Sequence, residues 1–296
     1  MIFLSSQKDS VLAQHLTRKV LGFDFHAVIP THYPDGEIAY KDLPATTGQD
    51  VLIHHTFQPP VIDAWARLFF LLSAIDSRSI TLLSPYLGFG RSRSQRGPKM
   101  LEELSRLGVD HLITFDYHRP EFLDAAPLEI THLSAKEIFI AHIQNSYQLS
   151  DCLVVAPDAG SRSRAASVSK FLNVPLVTMQ KQRYSAYDIE MGHVAGDVTG
   201  KACLIFDDMI STSATLVQAA DVLKNNGAKS IAAYCTHGLF LEDAVKKIEG
   251  SYLDGVVVTD TLEMGQLVRS NAKVTILSVA SLLQDVFIKK PQKSHG

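Results

Sequence analysis

The sequence has few of the features that mark secreted, membrane-bound or nucleic-acid-binding proteins. It contains three cysteines in 296 residues, and Cys152, Cys203 and Cys235 lie in apolar runs without forming a CxxC pair. This pattern predicts reduced core thiols in a cytoplasmic protein. The net charge of −3 argues against nucleic-acid binding, because that binding depends on concentrated lysine and arginine.

Long apolar runs are also missing. The longest, residues 64–75, is interrupted by Arg67 and is too short to span a bilayer. The N-terminal MIFLSSQKDS lacks the basic region and the apolar length of a signal peptide. We therefore expect neither a membrane nor a nucleic acid among the partners of this protein.

Common cofactor and metal motifs are incomplete. Residues 196–202, GDVTGKA, have three residues between the glycines where a P-loop has four, and alanine where it has Ser or Thr. Gly88-Phe89-Gly90 lacks the third glycine of a dinucleotide fingerprint, and no HExxH occurs. His54 and His55 lie within a predicted strand, which favours hydrogen-bonded core or interface histidines over a zinc site.

Short apolar runs alternate with amphipathic segments along the whole chain, which is typical of α/β proteins. The length allows two domains, and we predict two doubly wound parallel-sheet domains in tandem, residues 1–143 and 144–296. Most polar clusters follow a predicted strand, where ligands bind in such sheets. The polar segment 180–199, which contains two glycines, is predicted to be a flexible lobe.

The most informative stretch is residues 201–215, KACLIFDDMISTSAT. Cys203–Phe206 predict a buried strand that ends before Asp207 and Asp208. Small hydroxyl residues then open a helix, whose N–H groups and dipole favour a phosphate, while the carboxylates suit vicinal hydroxyls. The stretch therefore predicts a sugar-phosphate site, although an acidic pair alone could simply cap the helix. The predicted phosphate loop contains Ser211, Thr212, Ser213, Ala214 and Thr215.

The wider segment, residues 201–240, resembles that of ribose-phosphate diphosphokinases, also called phosphoribosyl pyrophosphate synthetases. The Thr236-His237-Gly238 triplet after the next strand is typical of that family. The resemblance implies two domains of the type I phosphoribosyltransferase fold, with Asp207, Asp208 and the phosphate loop holding ribose 5-phosphate.

Two segments of the first half extend the resemblance. Tyr33-Pro34-Asp35-Gly36-Glu37 is similar to the family's FPDGE loop, which implies that Tyr33, Asp35 and Glu37 hold adenine across a subunit interface. The protein would then be a homo-oligomer, at least a dimer, whose ATP site is completed by a neighbouring subunit. SPYLGFGRSR, residues 84–93, is similar to IPYFGYARQDR and implies that Arg91 contacts ATP phosphates.

Three further triplets and loops match family motifs. Asp116-Tyr117-His118 resembles DLH, which implies that His118 helps to hold Mg²⁺ and ATP phosphate. Residues 157–160, PDAG, imply a metal-binding role for Asp158. Lys181-Gln182-Arg183 matches KRR at two positions, and implies that Lys181 and Arg183 stabilise transition-state charge. Taken alone, His118 could be a capped loop residue and Asp158 a helix N-cap, and residues 181–183 could be a solvated basic patch.

The implied reaction transfers the pyrophosphoryl group of ATP to the C1 hydroxyl of ribose 5-phosphate, with Mg²⁺ as cofactor. Three alternatives remain open at this point. They are a phosphoribosyltransferase, a catalytically silent homologue that regulates a true synthetase, and a binding-only sensor of phosphoribosyl pyrophosphate. Because family loops usually have one or two glycines at Ser213 and Ala214, we expect the two Cβ atoms to reshape the phosphate loop.

Overall fold

The computed structural model describes residues 1–20, 22–91, 96–183 and 189–289, without the side chains of 180–183, 189–193 and 288–289. The backbone divides into two compact units. The first contains Met1–Ser134, Thr261–Glu263 and the described residues from Ser278 onwards. The second contains Ala135–Asp260 and Met264–Leu277.

The first unit is built on a parallel sheet with the strand order β2-β1-β5-β6-β7-β8. The order reverses between β1 and β5, as in a doubly wound sheet, and β3 and β4 form a separate antiparallel hairpin. Its elements up to Ser134 are β1 (Ile2–Ser5), α1 (Val11–Lys19), β2 (Asp24–Ala27), β3 (Thr31–His32), β4 (Ile38–Ala39), β5 (Asp50–His54), α2 (Val61–Ser73), β6 (Ser79–Leu83), α3 (Arg96–Arg106), β7 (His111–Phe115) and β8 (Glu129–Leu133).

The second unit has a seven-stranded sheet with the order β11-β10-β9-β12-β13-β14-β15, parallel except for β11. Here the order reverses between β9 and β12. Its elements are α4 (Lys136–Ser146), β9 (Cys152–Ala156), α5 (Arg162–Leu172), β10 (Leu176–Arg183), β11 (Ile189–Ala195), β12 (Ala202–Ile210), α6 (Ala214–Asn225), β13 (Ser230–Gly238), α7 (Ala244–Glu249), β14 (Gly255–Thr259), α8 (Gln266–Arg269) and β15 (Val274–Leu277).

The central strands of the second unit are apolar because helices cover both faces of a parallel sheet. All five residues of β9 are buried, and Ala202–Phe206 of β12 are buried as well. Phe206 stacks on Tyr234 of β13 with ring centroids 5.2 Å apart. Burying a large apolar side chain contributes roughly 1.5–3 kcal/mol, so this layer fixes the position at which β12 reaches its polar end.

The predicted α/β architecture with two doubly wound parallel sheets is confirmed, but three details differ. The strand end predicted before Asp207 is wrong, because β12 continues to Ile210 and pairs with Cys235 to Gly238 of β13. The long partner strand keeps this end of β12 extended, with Asp207 opposite Cys235 and Ile210 opposite Gly238. The segment predicted as a flexible lobe contributes the end of β10 and the antiparallel strand β11 in its described part.

The third difference concerns the division of the chain. The predicted border at residue 143 falls inside α4, which belongs wholly to the second unit. After β15 the chain returns to the first unit through α9 (Ala280–Lys289), where Phe287 packs on Phe23 with centroids 5.5 Å apart. Gln58 also pairs with the backbone of Glu263 in both directions, at 2.9 and 3.0 Å. As independently folding domains, residues 1–143 and 144–296 stay a prediction.

Two neutral histidines occupy the point where the strand order of the first sheet reverses. The ring Nδ1 of His54 lies 3.1 Å from Ser5 Oγ, and that of His55 lies 2.7 Å from Ser6 Oγ. Both rings are buried, as the sequence predicts. Burial is the main cause that lowers the pKa of His54 to about 3 and that of His55 to about 4.

These shifts predict that acid destabilises the first unit. The unfolded chain binds protons at both histidines below about pH 6.5, whereas the folded unit does not until about pH 4, so stability falls as the pH drops. Each histidine should account for about 2 kcal/mol between pH 7 and pH 5. Urea unfolding at several pH values, followed by the fluorescence of Trp65, measures how steeply the free energy of unfolding changes with pH. Trp65 stacks on Phe57 in this unit. His54→Asn should roughly halve it, and the exposed His32→Gln serves as the control; an unchanged slope in H54N would contradict the assignment.

Candidate functional site

The turn between β12 and α6 lies beside the strand-order reversal of the second sheet. Its β12 end is anchored, because Leu239 N donates to Ile210 O at 2.8 Å and Leu241 N donates to Ser211 O at 3.0 Å. The α6 helix that follows has twelve residues. The first N–H groups of a helix have no partner inside it, and the dipole places partial positive charge there. The turn therefore has the geometry that binds a phosphate.

Ser213 shapes this turn in a way that the sequence did not predict. It has a left-handed backbone, with φ of +59°, directly before the first residue of α6. Its buried hydroxyl donates either to Thr212 O at 2.7 Å or to Ala244 O of α7 at 3.1 Å. Ala214 is exposed as the first helical residue. Ser213 thus adopts a backbone conformation that favours glycine, and its hydroxyl lies within hydrogen-bond distance of α7. That the two Cβ atoms reshape the loop stays a prediction.

The two aspartates at the end of β12 differ in exposure. The side chain of Asp207 is 19% exposed, whereas that of Asp208 is 2% exposed. Asp207 Oδ1 accepts a hydrogen bond from the N–H of Asp208 at 2.9 Å. Burial, followed by the nearby carboxylates of Asp208 and Asp158, raises the pKa of Asp207 well above its usual range. Asp207 is therefore the carboxylate of this pair that a ligand can reach.

Arg164 is the residue of this site that the sequence reasoning missed. Its Nη1 lies 3.6 Å from Asp208 Oδ1 and 3.9 Å from Asp207 Oδ1. It lies in the first turn of α5, which follows β9 across the strand-order reversal from β12. The signal was present in the Gly/Ser/Arg turn before this helix, since residues after neighbouring parallel strands meet at one edge.

Asp158 lies in the same turn, between β9 and α5. Its Oδ1 accepts from Ser161 N at 3.0 Å, while Ser161 Oγ accepts from Asp158 N at 3.3 Å. The side chain thus holds the start of α5, and it is close enough to influence Asp207. The second unit therefore brings together Asp158, Arg164, Asp207, Asp208 and the predicted phosphate loop.

The predicted ATP residues all lie in the first unit. Tyr33, Asp35 and Glu37 occupy the exposed tip of the β3–β4 hairpin, where Tyr33 N donates to Glu37 O at 2.9 Å and Asp35 Oδ1 accepts from Glu37 N at 3.1 Å. Arg91 and His118 are exposed on two segments that follow β6 and β7. The structure brings these two segments into contact at Gly90, where an added Cβ would lie 3.3 Å from His118 Cβ.

The predicted catalytic residues are described only by their backbone. Lys181 and Arg183 lie in β10, paired with Met191 and Ile189 of β11. Their side chains lie outside the described residues, so their roles stay predictions. Within the described part of the chain, no group of three or more His, Cys, Asp and Glu side chains forms a ready metal cage. None of the helices described has both the length and the apolarity to cross a bilayer.

Comparison with known proteins identifies the family. A family model described as "Phosphoribosyl synthetase-associated domain" matches residues 156–292. The ribose-phosphate pyrophosphokinase of Chromobacterium violaceum is 34% identical over 264 residues, covering 86% of this chain and 80% of that relative. The enzyme of Burkholderia pseudomallei is 32% identical over 298 residues, covering 97% and 93%. The chain belongs to the ribose-phosphate pyrophosphokinase family.

A solved structure in the same family gives the fold. The crystal structure of phosphoribosylpyrophosphate synthetase from Mycobacterium smegmatis superposes with a TM-score of 0.88 and covers 97% of both chains at 24% sequence identity. The Burkholderia pseudomallei relative also matches 97% of this chain, so the sequence similarity includes both units. A phosphoribosyltransferase, the first alternative, does not explain why the similarity extends through the first unit.

Proposed function

We propose that this chain is a ribose-phosphate pyrophosphokinase that converts ATP and ribose 5-phosphate to AMP and phosphoribosyl pyrophosphate. The observation that carries the proposal is the turn in which Asp207 and Asp208 lead into an anchored phosphate loop at the strand-order reversal. Family membership supports the same conclusion. The reaction forms a bond from the C1 hydroxyl oxygen to the β-phosphorus of ATP. It breaks the bond to the oxygen that bridges the α- and β-phosphorus atoms, and AMP departs with that oxygen.

On the ribose side, residues 211–215 hold the 5-phosphate through the N–H groups of α6 and the loop hydroxyls. Asp207 and Asp208 orient the sugar, with Asp207 accepting hydrogen bonds from its hydroxyls and the more buried Asp208 holding Arg164. Anchoring the phosphate at one end and the hydroxyls at the other fixes the C1 oxygen. Such positioning is the main demand that phosphoryl-type transfer makes on a protein.

On the ATP side, the proposal assigns adenine to Tyr33, Asp35 and Glu37, and the phosphates to Arg91 and His118. The exposure of all five side chains supports roles in ligand binding. Because the hairpin is exposed, its three residues could complete the ATP site of a neighbouring subunit. The protein would then act as a homo-oligomer of at least two copies. A cytoplasmic location goes with this role and with the three free cysteines.

Mg²⁺ fits the residues present. Asp207 and Asp208 face the Arg164 guanidinium, and Asp158 lies close enough to Asp207 to act on it. Burial first, and the carboxylates of Asp208 and Asp158 next, raise the pKa of Asp207. Mg²⁺ usually keeps one or two carboxylates and takes its other ligands from substrate phosphates and water. Asp158 would hold the ion in the second unit, where the ion would supply Lewis-acid stabilisation of phosphate charge. His118 is the other ligand that the family resemblance implies. Lys181 and Arg183 stabilise negative charge on the β-phosphate and the leaving oxygen.

Phosphorus NMR of the reaction mixture tests the proposal. Purified protein with ATP, Mg²⁺ and ribose 5-phosphate should release AMP and phosphoribosyl pyrophosphate in equal amounts. Ribose, which lacks the 5-phosphate, is the matched control and should give almost no AMP. Formation of ADP would indicate an ordinary kinase. Binding of both substrates without turnover would favour the catalytically silent regulator, and binding of phosphoribosyl pyrophosphate alone would favour the sensor.

A further inference from the structure

The ring of Tyr117 fills a space beside three glycines in the first unit. Tyr117 follows β7 and is 2% exposed. A Cβ added to Gly90 would lie 2.8 Å from its Cε2 and 3.1 Å from its Cζ, and one added to Gly97 would lie 3.0 Å from the phenol oxygen. The phenol donates a long hydrogen bond to Gly88 O at 3.4 Å. The loop before Arg91 and the start of α3 therefore both pack against this ring.

Gly90 is a glycine for reasons of space and not of backbone conformation. Its φ lies outside the left-handed region, unlike that of the neighbouring Phe89 at +66°. Alanine could adopt its backbone angles, but its methyl group would overlap the Tyr117 ring. Carbon atoms in contact normally lie about 3.5–4.0 Å apart, so 2.8 Å requires the loop or the ring to move.

The loop is held from its other side by aromatic packing. The ring of Phe89 lies edge-on to Trp65, with centroids 6.3 Å apart, and edge-on to Phe57 at 6.1 Å. On the opposite segment, the Tyr117 N–H donates to the ring Nε2 of His132 at 2.9 Å. Neither segment can shift alone without breaking one of these contacts. A methyl group at Gly90 therefore displaces either the loop that leads to Arg91 or the Tyr117 ring beside His118.

We propose that the contact between Gly90 and Tyr117 sets the spacing between Arg91 and His118, which makes Tyr117 a positioning residue for the phosphates of ATP. Gly90 directly precedes Arg91, and Tyr117 directly precedes His118. A methyl group on Gly90 would also lie 3.3 Å from His118 Cβ, so the same contact touches both ligand-bearing segments. This inference rests on the proposed function, which assigns Arg91 and His118 to ATP.

The test is a double-mutant cycle on this pair. Gly90→Ala should raise the KM for ATP by at least about 10-fold, because small displacements of binding groups have large effects, and should change the KM for ribose 5-phosphate by less than about twofold. Tyr117→Leu removes ring atoms that the methyl would meet, so adding it to Gly90→Ala should recover most of the lost ATP affinity. Gly265→Ala is the matched control, since a Cβ there would meet nothing within 4 Å and its φ is −66°.

Two measurements separate positioning from a general loss of structure. Trp65 emission should change in Gly90→Ala, since Phe89 contacts that ring, and should return towards the wild-type value in the double variant. Calorimetric titration with ATP reports binding without turnover. If wild-type protein binds ATP but releases no AMP, the proposed function fails while the cycle still tests the pair. Additive effects of the two substitutions, an equal rise in both KM values, an unchanged KM for ATP, or no ATP binding by the wild type would overturn the inference.

Discussion

Replacement of Lys181 by alanine is expected to lower kcat by about 100- to 1,000-fold, the scale of a lost charge-stabilising contact in a transition state. The affinity for ribose 5-phosphate should change by less than about twofold, because the proposed contact forms as negative charge develops on the β-phosphate and the leaving oxygen. Single-turnover kinetics together with calorimetric binding of ribose 5-phosphate measure the two quantities separately.

Lys229→Ala is the control for this substitution. Lys229 is 66% exposed and its amino group lies 3.9 Å from Asp151 Oδ2, a surface pair that contributes little. It should leave kcat and both KM values unchanged. If Lys181→Ala weakens binding and turnover by the same factor, Lys181 is a ground-state ligand, and charge stabilisation must come from elsewhere.

The fold could be predicted from the sequence because parallel strands buried on both faces leave a clear pattern. β9 and the first five residues of β12 are continuous apolar runs, and Gly227, with φ of +86°, follows the end of α6 at Asn225. The pattern failed where tertiary pairing outweighs local polarity. Asp207 and Asp208 suggested a strand end, yet nine-residue β13 runs alongside and keeps the backbone extended to Ile210.

The site was predictable where a motif is contiguous and unpredictable where it is assembled in space. Asp207, Asp208 and the phosphate loop follow one another in the chain, so their common location could be read directly. Arg164 comes from the turn after β9, and only the strand-order reversal brings it to the aspartates. The hydrogen bond of the Ser213 hydroxyl to α7 could not be predicted either, because its acceptor, Ala244 O, lies 31 residues away in the sequence.

The carboxylate at Asp207 is predicted to favour ribose binding at the expense of stability. Asp207→Asn should raise the KM for ribose 5-phosphate by about 10- to 100-fold, since a hydrogen bond to a charged acceptor contributes about 1.5–3 kcal/mol. The same substitution should leave the melting temperature of the ligand-free protein unchanged or higher. The raised pKa of Asp207 means that the folded protein disfavours its ionised form, and asparagine removes that charge while keeping the shape.

Asp208→Asn should have the opposite effect on the melting temperature. The two variants can therefore be compared directly with each other. Asp208 is 2% exposed and faces the Arg164 guanidinium, so its loss leaves a partly buried cation with a weaker partner and should lower the melting temperature. Asp221→Asn, on α6 and away from the turn, is the control for an aspartate substitution as such. Differential scanning calorimetry measures the melting temperatures of the three variants, and initial-rate kinetics measure their KM values for ribose 5-phosphate. Equal melting temperatures and equal KM values for the Asp207 and Asp208 variants would show that the two carboxylates do not have separate roles.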